Sequence, residues 1–336
     1  MAETIYRDRK AVSIENELVR VTVLAEGGHI AAILHKHSGV NPLWTPPWNS
    51  IEPSTWDPQR CPEYGDDSES RLLSGLMGHN VCIDLFGGPS KDEALAGIPV
   101  HGEASVLPYE ITATDDTMNC ACRMPMSQIL FRRALQLDGE SVLISESVEN
   151  LSPWDRPIAW QQHVTLGPPF LQHGHTQFDV TATASRTYEG DFGDLFKSGV
   201  EFFWPHAPLA DGGEYDLRTF TERRVSAGYT AHLLDRGSDE AHWSARSADL
   251  SVEFGYRWRR ADFPWLGIWE ENRSRQNPPW NGETVARGME FGVSPQPESR
   301  RSMIGRGSMF DTPSYRWLPA RGTLTADYSA YITARK

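Results

Sequence analysis

Residues 17–37 read ELVRVTVLAEGGHIAAILHKH, and their pattern decides the fold class. From Glu17 to Leu24 apolar and polar side chains alternate with a period of two, the mark of a strand with one buried face. A Glu-Gly-Gly turn at Glu26 to Gly28 separates this run from a second apolar one, His29 to His37, so the segment predicts a β-hairpin. The same period returns along the chain. It is present at Ser105 to Thr114, Cys120 to Met124, Gln128 to Leu137, Ser141 to Glu149, Ile158 to Leu166 and Gln177 to Tyr188. Further runs follow at Tyr229 to Leu234, Leu250 to Trp258, Leu266 to Trp269, Ala286 to Phe291 and Thr323 to Thr333. Leu137-Asp138-Gly139 and Asp211-Gly212-Gly213 supply turns between them. Helical periodicity is confined to short pieces near Lys91 to Ala96 and Asp191 to Lys197. Many short strands with few helices predict an all-β sandwich or barrel.

Residues 40–70 carry no clear period and are rich in Pro, Trp and Asp. They read as a long ordered loop held by Trp44, Trp48 and Trp56, of the kind that forms lids or rims of sites. No linker, low-complexity segment or repeat interrupts the 336 residues, so residues 1–336 read as one domain.

The chain is acidic, with a formal charge of −13. That balance argues against a nucleic-acid partner, which needs a basic surface to neutralise phosphates. The pairs Arg132-Arg133, Arg223-Arg224 and Arg259-Arg260 are scattered and read as solvated faces. No apolar run is long enough to span a membrane, and the first residues lack the apolar core of a secretory signal. Four cysteines are too few for a disulfide framework; Cys120-Ala-Cys122 alternates as in a strand and is read as turning its thiols to opposite faces. A reduced, cytoplasmic protein is the simplest expectation. Twelve tryptophans provide flat apolar faces that suit sugar C–H surfaces and protein cores alike.

Candidate chemistry gathers first at Gly78 to Glu103, GHNVCIDLFGGPSKDEALAGIPVHGE. His79, Asn80, His101 and Glu103 lie there on segments broken by Gly and Pro, where functional side chains are commonly carried on a rigid scaffold. His163 sits in the apolar strand IAWQQHVTL. Glu290 sits in ARGMEFG between two glycines, which are read as room for a ligand. Trp269, Glu270 and Glu271 end WLGIWEEN. A carboxylate in an apolar site has its pKa raised toward a useful value for a base. Phosphate-binding glycine loops, nucleophile elbows and zinc spacings of the H-E-x-x-H or C-x-x-C type are absent. His173-Gly174-His175 reads as a polar turn rather than a metal chelate, and no metal site is assigned.

The order of an LVRVTVL…GGHI hairpin, a G-H-N segment, an H-G motif, a histidine in an apolar strand and a late glutamate between glycines resembles the galactose mutarotase (aldose 1-epimerase) superfamily. The similarity runs over roughly residues 15–333, with short motifs. It implies a large antiparallel β-supersandwich with a sugar-binding groove across one face. By position, His101 matches the family's sugar-contacting histidine and His163 its general acid. Glu290 matches the glutamate that takes the proton of the C1 hydroxyl. His79 occupies the place of a substrate-binding arginine, a departure from the family's G-R-x-x-N-R element, and Val164-Thr165-Leu166 replaces its Tyr-Phe-Asn-Leu. Asp211 and Asp216 are both open as counterparts of its substrate-binding aspartate.

Sugar anomerisation asks for these residue types independently: a base to remove the anomeric proton and an acid to protonate the ring oxygen, both exchanging protons near neutral pH. His163 and Glu290 are therefore expected to be catalytic, and His79, Asn80, His101, Glu103, Trp269 and Glu270 to bind substrate. The partner expected is a small carbohydrate, the assembly a monomer or homodimer, and no cofactor is required. Two alternatives stay open: a lyase on the same scaffold, with His79, His101, His163 and a carboxylate around a metal, and a sugar-binding protein without catalysis.

Overall fold

The computed structural model describes residues 3–190 and 192–334. Strands dominate, and every pairing between the strands of the two large sheets is antiparallel. The larger sheet has 12 strands. Its middle runs in the order Ile30–His35, His79–Asp84, Arg156–Leu166, Val285–Gly292, Trp265–Asn272 and Ser226–Leu234. The second sheet has eight strands, with Val252–Arg259, Thr323–Ala334 and Ser141–Asn150 at its centre. The opening hairpin forms as its alternation predicts: Val19–Leu24 pairs with Ile30–His35, and Val19, Val21 and Val23 point into the core.

That core lies between the two sheets. From the larger sheet come Ile83, Trp160, Ile268 and Phe291, and from the smaller one Phe131, Ile144, Trp243 and Phe254. Trp258 stacks on Phe291 across the gap at 4.2 Å between centroids. Burial on this scale, at about 25 cal/mol per Å² of apolar surface, is the main source of stability.

A polar network is also enclosed here. Arg133 donates to Glu146 at 2.7 Å, to Gly28 O at 3.1 Å and to Gln162 at 3.3 Å. Trp160 and Tyr328 complete the carboxylate at 3.0 and 2.7 Å. Arg133, expected on a solvated face with Arg132, is thus buried; only Arg132 faces solvent. Successive residues in a strand point to opposite faces, so one of an Arg-Arg pair must turn inward. The same rule corrects the cysteines: Cys120 and Cys122, two apart, share a face and both are buried.

Other expectations shift at their boundaries. Gln177 to Tyr188 is two strands, Gln177–Val180 in the smaller sheet and Ala182–Thr187 in the larger, because the chain crosses between layers at Thr181. In Ser105 to Thr114 the strand begins only at Glu110. The helix expected near Lys91 forms over Lys91–Leu95, closed by a capping box between Ser90 and Glu93. For Asp191 to Lys197, Asp191 lies outside the described residues, and residues 192–197 hold no helix.

The centre of the larger sheet is covered on both sides. Its inner face meets the smaller sheet; its outer face meets loops, chiefly residues 41–78 with the short helix Ser70–Leu73, and residues 273–284. Trp44, Trp48 and Trp280 stack edge to face there, 5.5 and 5.2 Å apart. His79–Asp84 and Val285–Gly292 are buried at every position. No helix among the described residues is long and apolar enough to cross a membrane.

Candidate functional site

A cleft of about 420 Å³ opens on the outer face of the larger sheet. The pleat decides which side chains reach it. On Arg156–Leu166, Trp160, Gln162 and Val164 face the inner core, so Gln161, His163 and Thr165 face outward. On Val285–Gly292, Met289 and Phe291 face inward and Glu290 outward. His163 and Glu290 are direct cross-strand partners. Their side chains meet at 3.0 Å between Nε2 and Oε1, at 8% and 2% side-chain exposure, on the cleft floor.

The support of this pair is local. Nδ1 of His163 lies 3.1 Å from the Thr165 hydroxyl, which can donate to a neutral imidazole and accept from a charged one. The glycines beside Glu290 serve protein packing rather than ligand approach, a correction to the reading of the sequence. A Cβ at Gly288 would stand 2.5 Å from Glu290 Oε1, and one at Gly292 would stand 1.7 Å from Gln161 Oε1.

His101 lies beside this pair, 5.1 Å from His163 between ring centroids. Its Nδ1 donates to Phe86 O at 2.6 Å, which leaves Nε2 as an acceptor toward the cleft. Burial and the neighbouring His163 push its pKa down to about 3. A neutral ring that accepts a hydrogen bond is the result. The H-G motif has a steric cause. His101 and Gly102 both have positive φ, +67° and +78°, and a Cβ on residue 102 would fall 2.2 Å from Ile83 O. Only glycine fits there. Below this turn Asp84 takes Arg300 in two bonds, 2.8 and 2.7 Å, and Arg156 in one of 2.7 Å. Arg300 also holds Glu93 at 2.9 Å, fastening the loop that carries His101.

Trp269, also expected at the site, lines the cleft 6.0 Å from His163. The other expected binders lie elsewhere. His79 faces the inner core, where its ring nitrogens meet Tyr256 and Gln162 at 3.0 Å each. The pleat turns it away from His163, so the set His79, His101 and His163 cannot converge on one ion. Asn80 is on the outer face beside His163, but it is fully enclosed under Ser105, to which it donates at 3.2 Å. Glu103 is consumed by the turn at Met126 and Ser127, accepting both backbone N–H groups and the serine hydroxyl. Glu270 points inward to Tyr215 at 3.0 Å and Arg287 at 3.4 Å; burial raises its pKa. Asp211 and Asp216 pair with Arg223 and Arg218 on the surface, outside the cleft. His173 and His175 lie in a turn, with His173 bonded to Thr221 O.

Among the cleft residues not anticipated are Arg275, Glu69 and Tyr229. The Arg275 guanidinium sits over Trp280 at 4.4 Å and Phe192 at 5.0 Å and pairs with Glu69 at 3.2 Å. Glu271, on the Trp269 side of its strand, holds this loop through Ser274 at 2.6 and 2.9 Å. Nothing in the local sequence marks Arg275 as a cleft residue, because its counter-ion Glu69 lies 206 positions away in the chain.

No protein-family model matches the sequence, and no curated protein matches it. Solved structures are. A Klebsiella pneumoniae protein provisionally named an aldose 1-epimerase superposes with a TM-score of 0.72 at 13% identity, over 98% of this chain and 80% of that one. A galactose mutarotase-like protein from Clostridium acetobutylicum gives 0.63 at 13%, over 99% and 98%. Another from Lactobacillus casei gives 0.62 at 12%, over 96% and 100%. The chain has the galactose mutarotase-like fold. At these identities the likeness is one of architecture. Within the mutarotase-like fold, the cleft described here lies on the outer face of the larger sheet, over its central strands.

Proposed function

We propose that this cleft interconverts the anomers of a free sugar by opening and closing its ring. The observation that carries the reading is the His163–Glu290 pair, 3.0 Å apart on the floor of a cleft walled by Trp269 and Trp280. The anomeric hydroxyl and the ring oxygen are bonded to the same carbon, so a base and an acid serving them must stand side by side. Glu290 takes the proton of the C1 hydroxyl while His163, as imidazolium, gives one to the ring oxygen and the C1–O bond breaks. After rotation about C1–C2, neutral His163 withdraws the proton from the freed hydroxyl as its oxygen adds back to C1, and protonated Glu290 returns its own to the carbonyl oxygen. Both groups end as they began. His101, accepting through Nε2, orients a sugar hydroxyl, and Trp269 faces the ring.

The assay is one-dimensional NMR or polarimetry on freshly dissolved single anomers of hexoses, pentoses, uronic acids and sugar phosphates. Glu290→Gln keeps the shape but cannot accept the proton, so kcat should fall about 10²–10⁴-fold with sugar binding retained. His163→Asn should lose rate similarly, whereas His101→Asn should damage KM and kcat together. Full activity in Glu290→Gln defeats the assignment. Sugar binding without turnover in the wild type leaves a binding protein.

A further inference from the structure

The two sides of the cleft floor are walled differently. His163 has Glu290 as its cross-strand partner on one side and Asn80 on the other. Leu72, Leu73 and Leu76, all cleft residues, lead directly into the strand that carries Asn80. Val100, the residue before His101, joins them. Its N–H donates to Ser68 O at 3.2 Å, and the four side chains pack in one cluster with Trp44 and Trp280. This wall is apolar, and it stands on the side of His163 away from Glu290. Polar groups near its rim are engaged or in water. Asp67 accepts from Glu69 N and Ser70 N at 2.8 and 3.1 Å, Glu69 pairs with Arg275 at 3.2 Å, and Ser68 is exposed.

We propose that this wall receives a methyl group on C5 of the sugar, so that a 6-deoxyhexose is the preferred substrate. The inference rests on the anomerase reading of the cleft and deepens it. The C1 hydroxyl stands over Glu290 and the ring oxygen over His163, so the bond from the ring oxygen to C5 runs away from Glu290. C5 and its substituent therefore reach the leucine and valine wall, whichever face of the ring is turned to the floor. A CH2OH group there would exchange water for side chains that neither donate nor accept, and a hydroxyl left unpaired is costly. A hydrogen atom, as in a pentose, would leave the wall without contact. A methyl group meets it and buries apolar surface on both sides. The preference is set by Val100 and the leucines, which do not touch the protons being moved.

The test uses the full chain and sets of three sugars that differ only at C5, read by NMR anomer exchange and by calorimetric binding. D-galactose carries CH2OH, D-fucose CH3 and L-arabinose H. D-glucose, D-quinovose and D-xylose form a second set, and L-mannose, L-rhamnose and L-lyxose a third. In the set that turns over fastest, the methyl member should exceed both others in kcat/KM by about tenfold, the lower end of what one carbon is worth in an apolar pocket. Val100→Thr keeps the shape of the wall and adds a hydroxyl, so it should bring the ratio of CH3 to CH2OH toward one, chiefly through KM. Leu76→Gln should act in the same direction. A ratio unchanged in both folded variants overturns the wall as its source. Turnover with kcat/KM equal across each set overturns the methyl assignment while the anomerase reading stands. So does a higher value for the CH2OH members, the order expected if His101 Nε2 takes the 6-hydroxyl. Tighter binding of methyl members with no turnover of any sugar keeps the apolar wall and overturns the anomerase reading. Absence of both binding and turnover ends both.

Discussion

Alanine at position 288 adds one methyl group whose position the backbone fixes, 2.5 Å from Glu290 Oε1 and 3.3 Å from its Cγ and Cδ. Ordinary van der Waals contact begins near 3.4 Å. The oxygen must therefore retreat by about 0.9 Å, since a close-packed neighbourhood absorbs little of the overlap. That oxygen is the one bonded to His163 Nε2 at 3.0 Å. A misplacement of about 1 Å in a reacting pair costs about 10²-fold in rate. The obstructed atoms belong to the end of a flexible side chain, so the loss of stability should stay near 1–2 kcal/mol, the lower range for overpacking. Gly288→Ala should thus fold, melt a few degrees lower, and anomerise its best sugar about a hundredfold more slowly at saturation. NMR exchange rates and a thermal melt measure the two effects on one preparation. Wild-type kcat in a folded Gly288→Ala protein would show that the carboxylate's position, and so the pair, is not what makes the rate.

Three further expectations concern stability. Removing the guanidinium in Arg133→Met leaves the Glu146 carboxylate buried without its counter-ion and should cost about 3–5 kcal/mol in urea unfolding; a loss under about 1 kcal/mol contradicts the network as described. His29 and His232 are fully buried, and burial pushes each pKa from 6.5 down to about 3. A lowered folded pKa means that the unfolded chain takes up the protons first. Their contribution is complete above pH 6.5 and falls between 6.5 and 3, by about 1.4 kcal/mol per pH unit for each histidine. Urea midpoints should hold steady from pH 7.5 to 6.5 and drop from 6.5 to 5; a flat profile to pH 5 contradicts it. Glu103→Gln weakens three bonds to Met126 and Ser127, so it should lower the melting temperature and leave sugar KM unchanged. A KM shift without a melting shift would return Glu103 to the site.

The sequence by itself determined the strands and the chemistry they can carry. Valines alternating from Val19 to Val23, and like runs elsewhere, specify half-buried strands, because a strand's side chains change face at every residue. Histidine in an apolar strand and glutamate between glycines were visible as unusual groups, and His163, Glu290, His101 and Trp269 do gather in one cleft. Only the tertiary structure decided which face each group takes. His79–Asp84 and Val285–Gly292 are covered on both sides, so polarity no longer marks the outer face, and His79 and Glu270 fall toward the core. Arg133 is paid for by Glu146 from the next strand, a partner that pattern alone does not supply. The pairing of Arg275 with Glu69 depends on loops brought together over the sheet from distant parts of the chain. Their meeting is set by packing, which leaves no local signal in either loop.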